Sequence, residues 1–135
     1  MFFHELSHDQ RRACLVLARQ VIDADNRLAL QEVERLDRLY VEAGVPAETA
    51  EAPTGVDDLG RLFATDRARV VVLLELLLVA YADGRLDPRE VAAVRRVAAH
   101  LQVDAGTFEA ALDWGRRHQA LVEEAAHLGA PVGTP

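Results

Sequence analysis

The sequence predicts an all-α, single-domain helical bundle of six or seven helices with an internal pseudo-repeat. Half of the 135 residues are apolar yet only 5% are aromatic, and Ala, Leu, Val, Arg and Glu dominate, a helix-forming rather than strand-forming composition. Apolar residues recur at helical spacing in segments punctuated by capping and breaking residues. One phrase also occurs twice. Ala82-Asp83-Gly84-Arg85-Leu86-Asp87-Pro88-Arg89-Glu90-Val91 reappears 58 positions earlier (83 minus 25) as Ala24-Asp25-Asn26-Arg27-Leu28-Ala29-Leu30-Gln31-Glu32-Val33, with Ala, Asp, Arg, Leu, Glu and Val matched. A phrase repeated at a fixed offset marks a duplicated helix-turn-helix unit, expected over about 7–43 and about 66–101 of one domain spanning 1–135.

Ser7-His8-Asp9-Gln10 has the form of a capping box, and Cys14, Leu17, Ala18, Val21 and Ile22 follow on one face, so a first helix is expected from about Ser7 to Ala24. Val33, Leu36, Leu39 and Tyr40 give a second amphipathic helix, from about Leu30 to Ala43, which Gly44-Val45-Pro46 stops. Residues 44–55, with two Pro, two Gly and two acidic residues, read as a surface loop between the copies. Val56 to Ala64 forms a short helix with Leu59, Leu62 and Phe63 inward, and Thr65 or Asp66 caps the next one. That next helix is the core: from Val70 to Ala82 it is apolar on every face except at Glu75, so neighbours must surround it. Its three opening valines would suit a strand, but the length of the run and its helical flanks decide for helix.

Asp83-Gly84 suits the C-terminus of that helix. The following helix starts at Asp87-Pro88, with Glu90 completing a capping box and Leu86 and Val91 forming a hydrophobic staple. In the first copy Asn26 replaces the Gly and Ala29-Leu30 lacks both cap and Pro, so Glu32 persists without a capping partner. Val91, Val94, Val97, Ala98 and Leu101 make the inward face of the helix after Asp87. Asp104 caps the last helix, expected over about 104–127 with Phe108, Ala111, Leu112, Leu121 and Val122 inward and a bend at Gly115. Residues 129–135 are expected to fray.

A net charge of −7, with no basic cluster free of acidic neighbours, argues against nucleic acid as a partner. Cys14 stands alone in an apolar stretch, which suits a buried, inert thiol in a reducing compartment. Met1-Phe2-Phe3 is followed at once by polar residues, unlike a signal peptide. The run from Val70 to Ala82 falls short of the roughly 20 residues a bilayer span needs. A cytoplasmic protein without direct membrane insertion is expected.

Val79-Ala80-Tyr81-Ala82-Asp83-Gly84-Arg85-Leu86-Asp87-Pro88-Arg89-Glu90, preceded by the Leu-rich helix and followed by Val91, Val94, Val97 and Ala98, resembles the TerB-like domain of tellurite-resistance proteins. The resemblance spans about residues 10 to 125 and departs from the pattern in the first copy, at Asn26 and Ala29-Leu30. It implies an all-helical bundle with a pseudo-repeat, no catalytic activity and an acidic surface that binds metal ions. It also implies association with systems that handle tellurite, chemical and phage stress, some of which include membrane proteins.

Asp83-Gly84-Arg85-Leu86 followed by Glu90 matches the second half of a calcium-binding EF-hand loop, but Val79 and Tyr81, or Val21 and Asp23 in the other copy, occupy the first ligand positions and lack three of the four oxygens required. Another geometry brings Asp25 and Glu32 together with Asp83 and Glu90 across a pseudo-twofold axis. Four converging carboxylates would repel one another, and a hard divalent ion such as calcium, magnesium or manganese would answer that. The competing reading is that the Asp residues end helices, Glu90 completes a cap and all four are solvated. Glu75 is expected at an exposed edge beside an Arg, because buried carboxylates are rare unless paired.

His4-Glu5-Leu6-Ser7-His8 spells a zinc-protease signature. The capping box starts a helix at Ser7, between the two His, so they do not share a helical face and the enzyme reading is set aside. His100, His118 and His127 show no ligand spacing and read as surface residues. The expected function is a non-catalytic, TerB-like stress-response module that binds divalent metal through its acidic cluster and works with protein partners, membrane-associated stress-response proteins among them. The alternative is a protein–protein interaction domain without a ligand.

Overall fold

The computed structural model describes residues 1–24, 35, 37–38, 40–42, 44, 56–82 and 87–129. A single 3-10 turn at Phe3–Glu5 precedes α1 (His8–Asp23), α2 (Val56–Leu62), α3 (Asp66–Ala80), α4 (Pro88–His100) and α5 (Ala105–His127). Arg35, Asp37, Arg38, Tyr40, Val41 and Glu42 are also helical. No strand occurs among the described residues, in line with the all-α expectation.

The helix starts follow from their capping side chains. Ser7 accepts from the Gln10 amide at 3.2 Å while Gln10 Oε1 accepts from the Ser7 amide at 2.8 Å, the reciprocal box expected from their spacing. Thr65 takes the Ala68 amide ahead of α3, and Asp104 takes the Thr107 amide ahead of α5. At α4, Asp87 accepts from the Arg89 amide at 2.7 Å, with Pro88 in the first turn. The expected punctuation at 83–86, including Leu86 of the staple, and most of the second amphipathic helix lie outside the described residues.

α3 is the centre of the molecule. Every residue from Val71 to Ala80 is buried, since α1, α4, α5 and the 3-10 turn all pack against this one helix. Burying a Leu or Val completely contributes roughly 1.5–3 kcal/mol, so the run that made the sequence look like a core helix also supplies much of the driving force for assembly.

Glu75 follows its helix inside, which corrects the expectation of an exposed edge: it is 0% exposed. A helix enclosed on all sides has no edge to offer. Glu75 Oε1 accepts from the Met1 amino group at 2.9 Å and from the Phe2 amide at 2.6 Å, and Arg35 Nη2 lies 3.8 Å from Oε2. The expected neighbouring Arg is present, but as a partner in the interior. A carboxylate can be kept out of water only when donors and opposite charge meet it.

Two features of α5 also depart from the sequence reading. Leu121 and Val122 are 63% and 47% exposed rather than inward. α5 has 23 residues and α3 has 15, or about 34 Å against about 22 Å at 1.5 Å per residue, so the last turns of α5 run past the helix they pack on. Gly115, expected to mark a bend, lies inside one continuous helix and is buried. A Cβ there would sit 2.9 Å from Tyr81 Cε2, 3.0 Å from Tyr81 Cδ2 and 3.4 Å from Leu77 Cβ. The glycine makes room for the Tyr81 ring, whose hydroxyl donates to the Leu112 carbonyl at 3.4 Å.

Gly115→Ala therefore sets two effects against each other. Helix propensity would gain up to about 1 kcal/mol, while overpacking against a held ring costs about 1–3 kcal/mol. The expected outcome is a lower melting temperature, followed by circular dichroism; a higher one would show that Tyr81 swings aside freely.

Candidate functional site

Of the four carboxylates the sequence singles out, Asp25, Glu32 and Asp83 lie outside the described residues. Glu90 is described, and its position is informative. The Asp87 cap and Pro88 set the start of α4, and Glu90 comes in its first turn, three and four residues ahead of Ala93 and Val94 and seven ahead of Val97. Residues at that spacing share one helical face, and this face is buried: Ala93 is 7% exposed, Val94 0% and Val97 8%.

Glu90 is 1% exposed. The reading in which all four carboxylates are solvated therefore fails at this residue. The spacing Glu90, Val94, Val97, Leu101 carried the signal, since those apolar positions were already assigned inward. A capping role drew Glu90 to the helix start and away from that face. Among the described residues no group of three or more His, Cys, Asp or Glu is arranged to hold a metal ion, three of the four candidates standing outside that set.

The histidines divide differently from expectation. The Ser7 cap falls between His4, in the 3-10 turn, and His8, at the head of α1, so the two do not share a helix. Between them, Glu5 accepts from Arg67 Nε and Nη2 at 2.8 Å each. His100 and His127 are exposed, but His118 is not a plain surface residue. Its ring stacks on Trp114 with centroids 5.2 Å apart, and partial burial, with the positive charge of Arg35, holds its pKa below the usual histidine value.

The segment that carries Glu90 is also the segment with a known relative. The family model described as "Tellurite resistance protein TerB" matches residues 44–113, more than half of the 135-residue chain. The chain belongs to the TerB family. The match takes in α2, α3 and α4 and the first part of α5, so the TerB segment contains Glu75, Asp83 and Glu90 from the residues considered above. No curated protein and no solved structure matches the chain. Among the described residues of this TerB-family protein, no helix is long and apolar enough to cross a membrane.

The one cysteine shows how closed the centre of the fold is. Cys14 is 0% exposed; burial raises its thiol pKa strongly, and the Glu75 carboxylate adds to the rise while the amino terminus opposes it. Because the thiolate is the reactive species, native protein at a pH of about 8 should not react with a disulfide reagent such as dithiobis(nitrobenzoate) over an hour, whereas denatured protein releases one equivalent of chromophore. Prompt release from native protein would mean that the α1–α3 contact opens readily.

Proposed function

We propose that this TerB-family protein is a non-catalytic stress-response module that holds a divalent metal ion with Asp25, Glu32, Asp83 and Glu90. The observation that carries the reading is the burial of Glu90 on the inward face of α4, inside the family-matched segment. Glu90 already has an interaction within the fold, and an inward oxygen donor is also what a hard cation such as calcium, magnesium or manganese uses. The repeat supports the same reading: Glu32 occupies the matching place in a copy that has no capping residue to account for it.

Partner proteins in tellurite and related stress systems, membrane-associated ones among them, would read the metal-loaded state. A ligand-free interaction domain is the second reading, favoured by the exposure of Leu121, Val122 and Leu128 along the overhanging end of α5. Nucleic acid remains a poor partner for a chain of net charge −7.

A ligand that binds only the native state stabilises it by mass action, by about 2.7 kcal/mol when present at 100 times its Kd. Millimolar calcium, magnesium or manganese should therefore raise the melting temperature in a concentration-dependent way. Asp83→Asn combined with Glu90→Gln should remove the rise while the far-ultraviolet dichroism stays helical. Melting curves and amide NMR spectra that none of the three ions moves would leave the interaction-domain reading in its place.

A further inference from the structure

A second candidate site has a lining that is basic rather than acidic among the described residues. The C-terminal end of α3, the middle of α5 and the helical residues Arg35 and Arg38 enclose a cavity of about 250 Å³. Its polar lining, among the described residues, is Arg35, Arg38, His118 and Gln119, and Leu78 and Val122 contribute apolar wall. Small-molecule sites commonly run to roughly 300–1,000 Å³, so the occupant must be compact.

Among the described residues the charged lining is of one sign, in a chain whose net charge is −7. Arg35 Nε and Nη2 are buried and make no hydrogen bond. Among the described residues Arg35 pairs with Glu75, whose Oε2 lies 3.8 Å from Nη2, too far for a hydrogen bond, and the other oxygen of that carboxylate is already taken by Met1 and Phe2. Buried donors left unmatched are destabilising, so an acceptor entering the cavity would recover part of that loss. Trp114 holds the His118 ring by stacking, which fixes a third polar group without tying up its ring nitrogens. Arginine presents a planar fork of donors that matches carboxylate and phosphate oxygens in pairs.

We propose that this cavity binds a small organic anion, whose phosphate or carboxylate head is held by Arg35, Arg38 and His118 and whose short apolar body lies against Leu78 and Val122. The proposal does not rest on the metal reading, since it calls for a ligand of the opposite charge and names none of the four carboxylates.

The test is an NMR titration of the full chain with butyl phosphate and, separately, butyrate, at ionic strength held constant with sodium chloride. The resonances followed are the His118 ring and the arginine Nε–Hε groups. At least one of the two probes should give saturable shifts at His118 and Arg35, and the probe that saturates first identifies the preferred head group. Inorganic phosphate alone should bind more weakly than butyl phosphate if the apolar wall contributes. The bound anion should also move the His118 titration midpoint upward, because a nearby negative charge favours the imidazolium.

Arg38→Gln, at an exposed position, should weaken binding about tenfold or more through loss of a charge-assisted hydrogen bond. Arg117→Gln, on the part of α5 where Arg117 pairs with Asp113 rather than lining the cavity, should bind as the parent does. Shifts that fail to saturate, that sodium chloride reproduces, or that persist unchanged in both Arg38→Gln and His118→Gln would overturn the proposal.

Discussion

The Glu75 carboxylate is the constraint around which the described structure is arranged. It sits midway along a helix otherwise built from Val, Leu and Ala, at 0% exposure, where a lone negative charge could not persist. The fold answers by bringing two distant segments to it: the Met1 amino group and Phe2 amide on one oxygen, and the Arg35 guanidinium near the other. Apolar contact alone would let the helices around α3 slide relative to one another, whereas a charge that must be met at one point sets where the N-terminal segment and the Arg35 helix lie along it. Phe2 then packs its ring toward Trp114 of α5, with centroids 5.8 Å apart, and the Arg67 guanidinium covers the same ring at 5.6 Å.

The arrangement has consequences for both proposed sites. Holding Arg35 beside Glu75 places its guanidinium in the wall of the cavity, with donors still open, and Trp114, which Phe2 touches, positions His118 across from it. Beyond the end of α3 that borders the cavity, the chain continues into α4, with Glu90 turned inward. The protein thus combines an inward acidic position in the TerB-matched segment with a cavity beside the middle of α5 whose described charged lining is basic.

Much of the fold was legible because local chemistry and burial agreed. Ser7 with Gln10, Thr65, Asp87 with Pro88, and Asp104 each named a helix start that the structure has, and the apolar run through Val79 named the central helix. Periodicity failed at Leu121 and Val122 because it reports which residues share a face, not whether a neighbour is long enough to cover it. Gly115 was read through backbone freedom, whereas its role is the space it leaves for Tyr81, a tertiary fact without a local signature. Glu75 was placed at an exposed edge because carboxylates usually are exposed, while Glu90 stood between a converging metal site and a solvated cap. For Glu75 the compensating groups come from residues 73 to 74 positions away in sequence and from Arg35, which no local pattern could have connected to it.

The acidic positions were the least legible part of the candidate site, since their proposed meeting depends on how two copies face each other. What the sequence did carry there was the repeat and the inward register of Glu90 with Val94 and Val97. The match to the TerB family covers the second copy, which is also the copy with intact capping residues.

Amide hydrogen exchange at Phe2 probes the buried Glu75 tie most directly, because that amide belongs to no helix and donates to Oε1 at 2.6 Å. If the carboxylate organises the core, the Phe2 amide is protected to a degree comparable with the amides of α3, and Glu75→Ala abolishes that protection. Exchange of the Phe2 amide at the rate of an unstructured peptide, in the parent protein, would contradict the account.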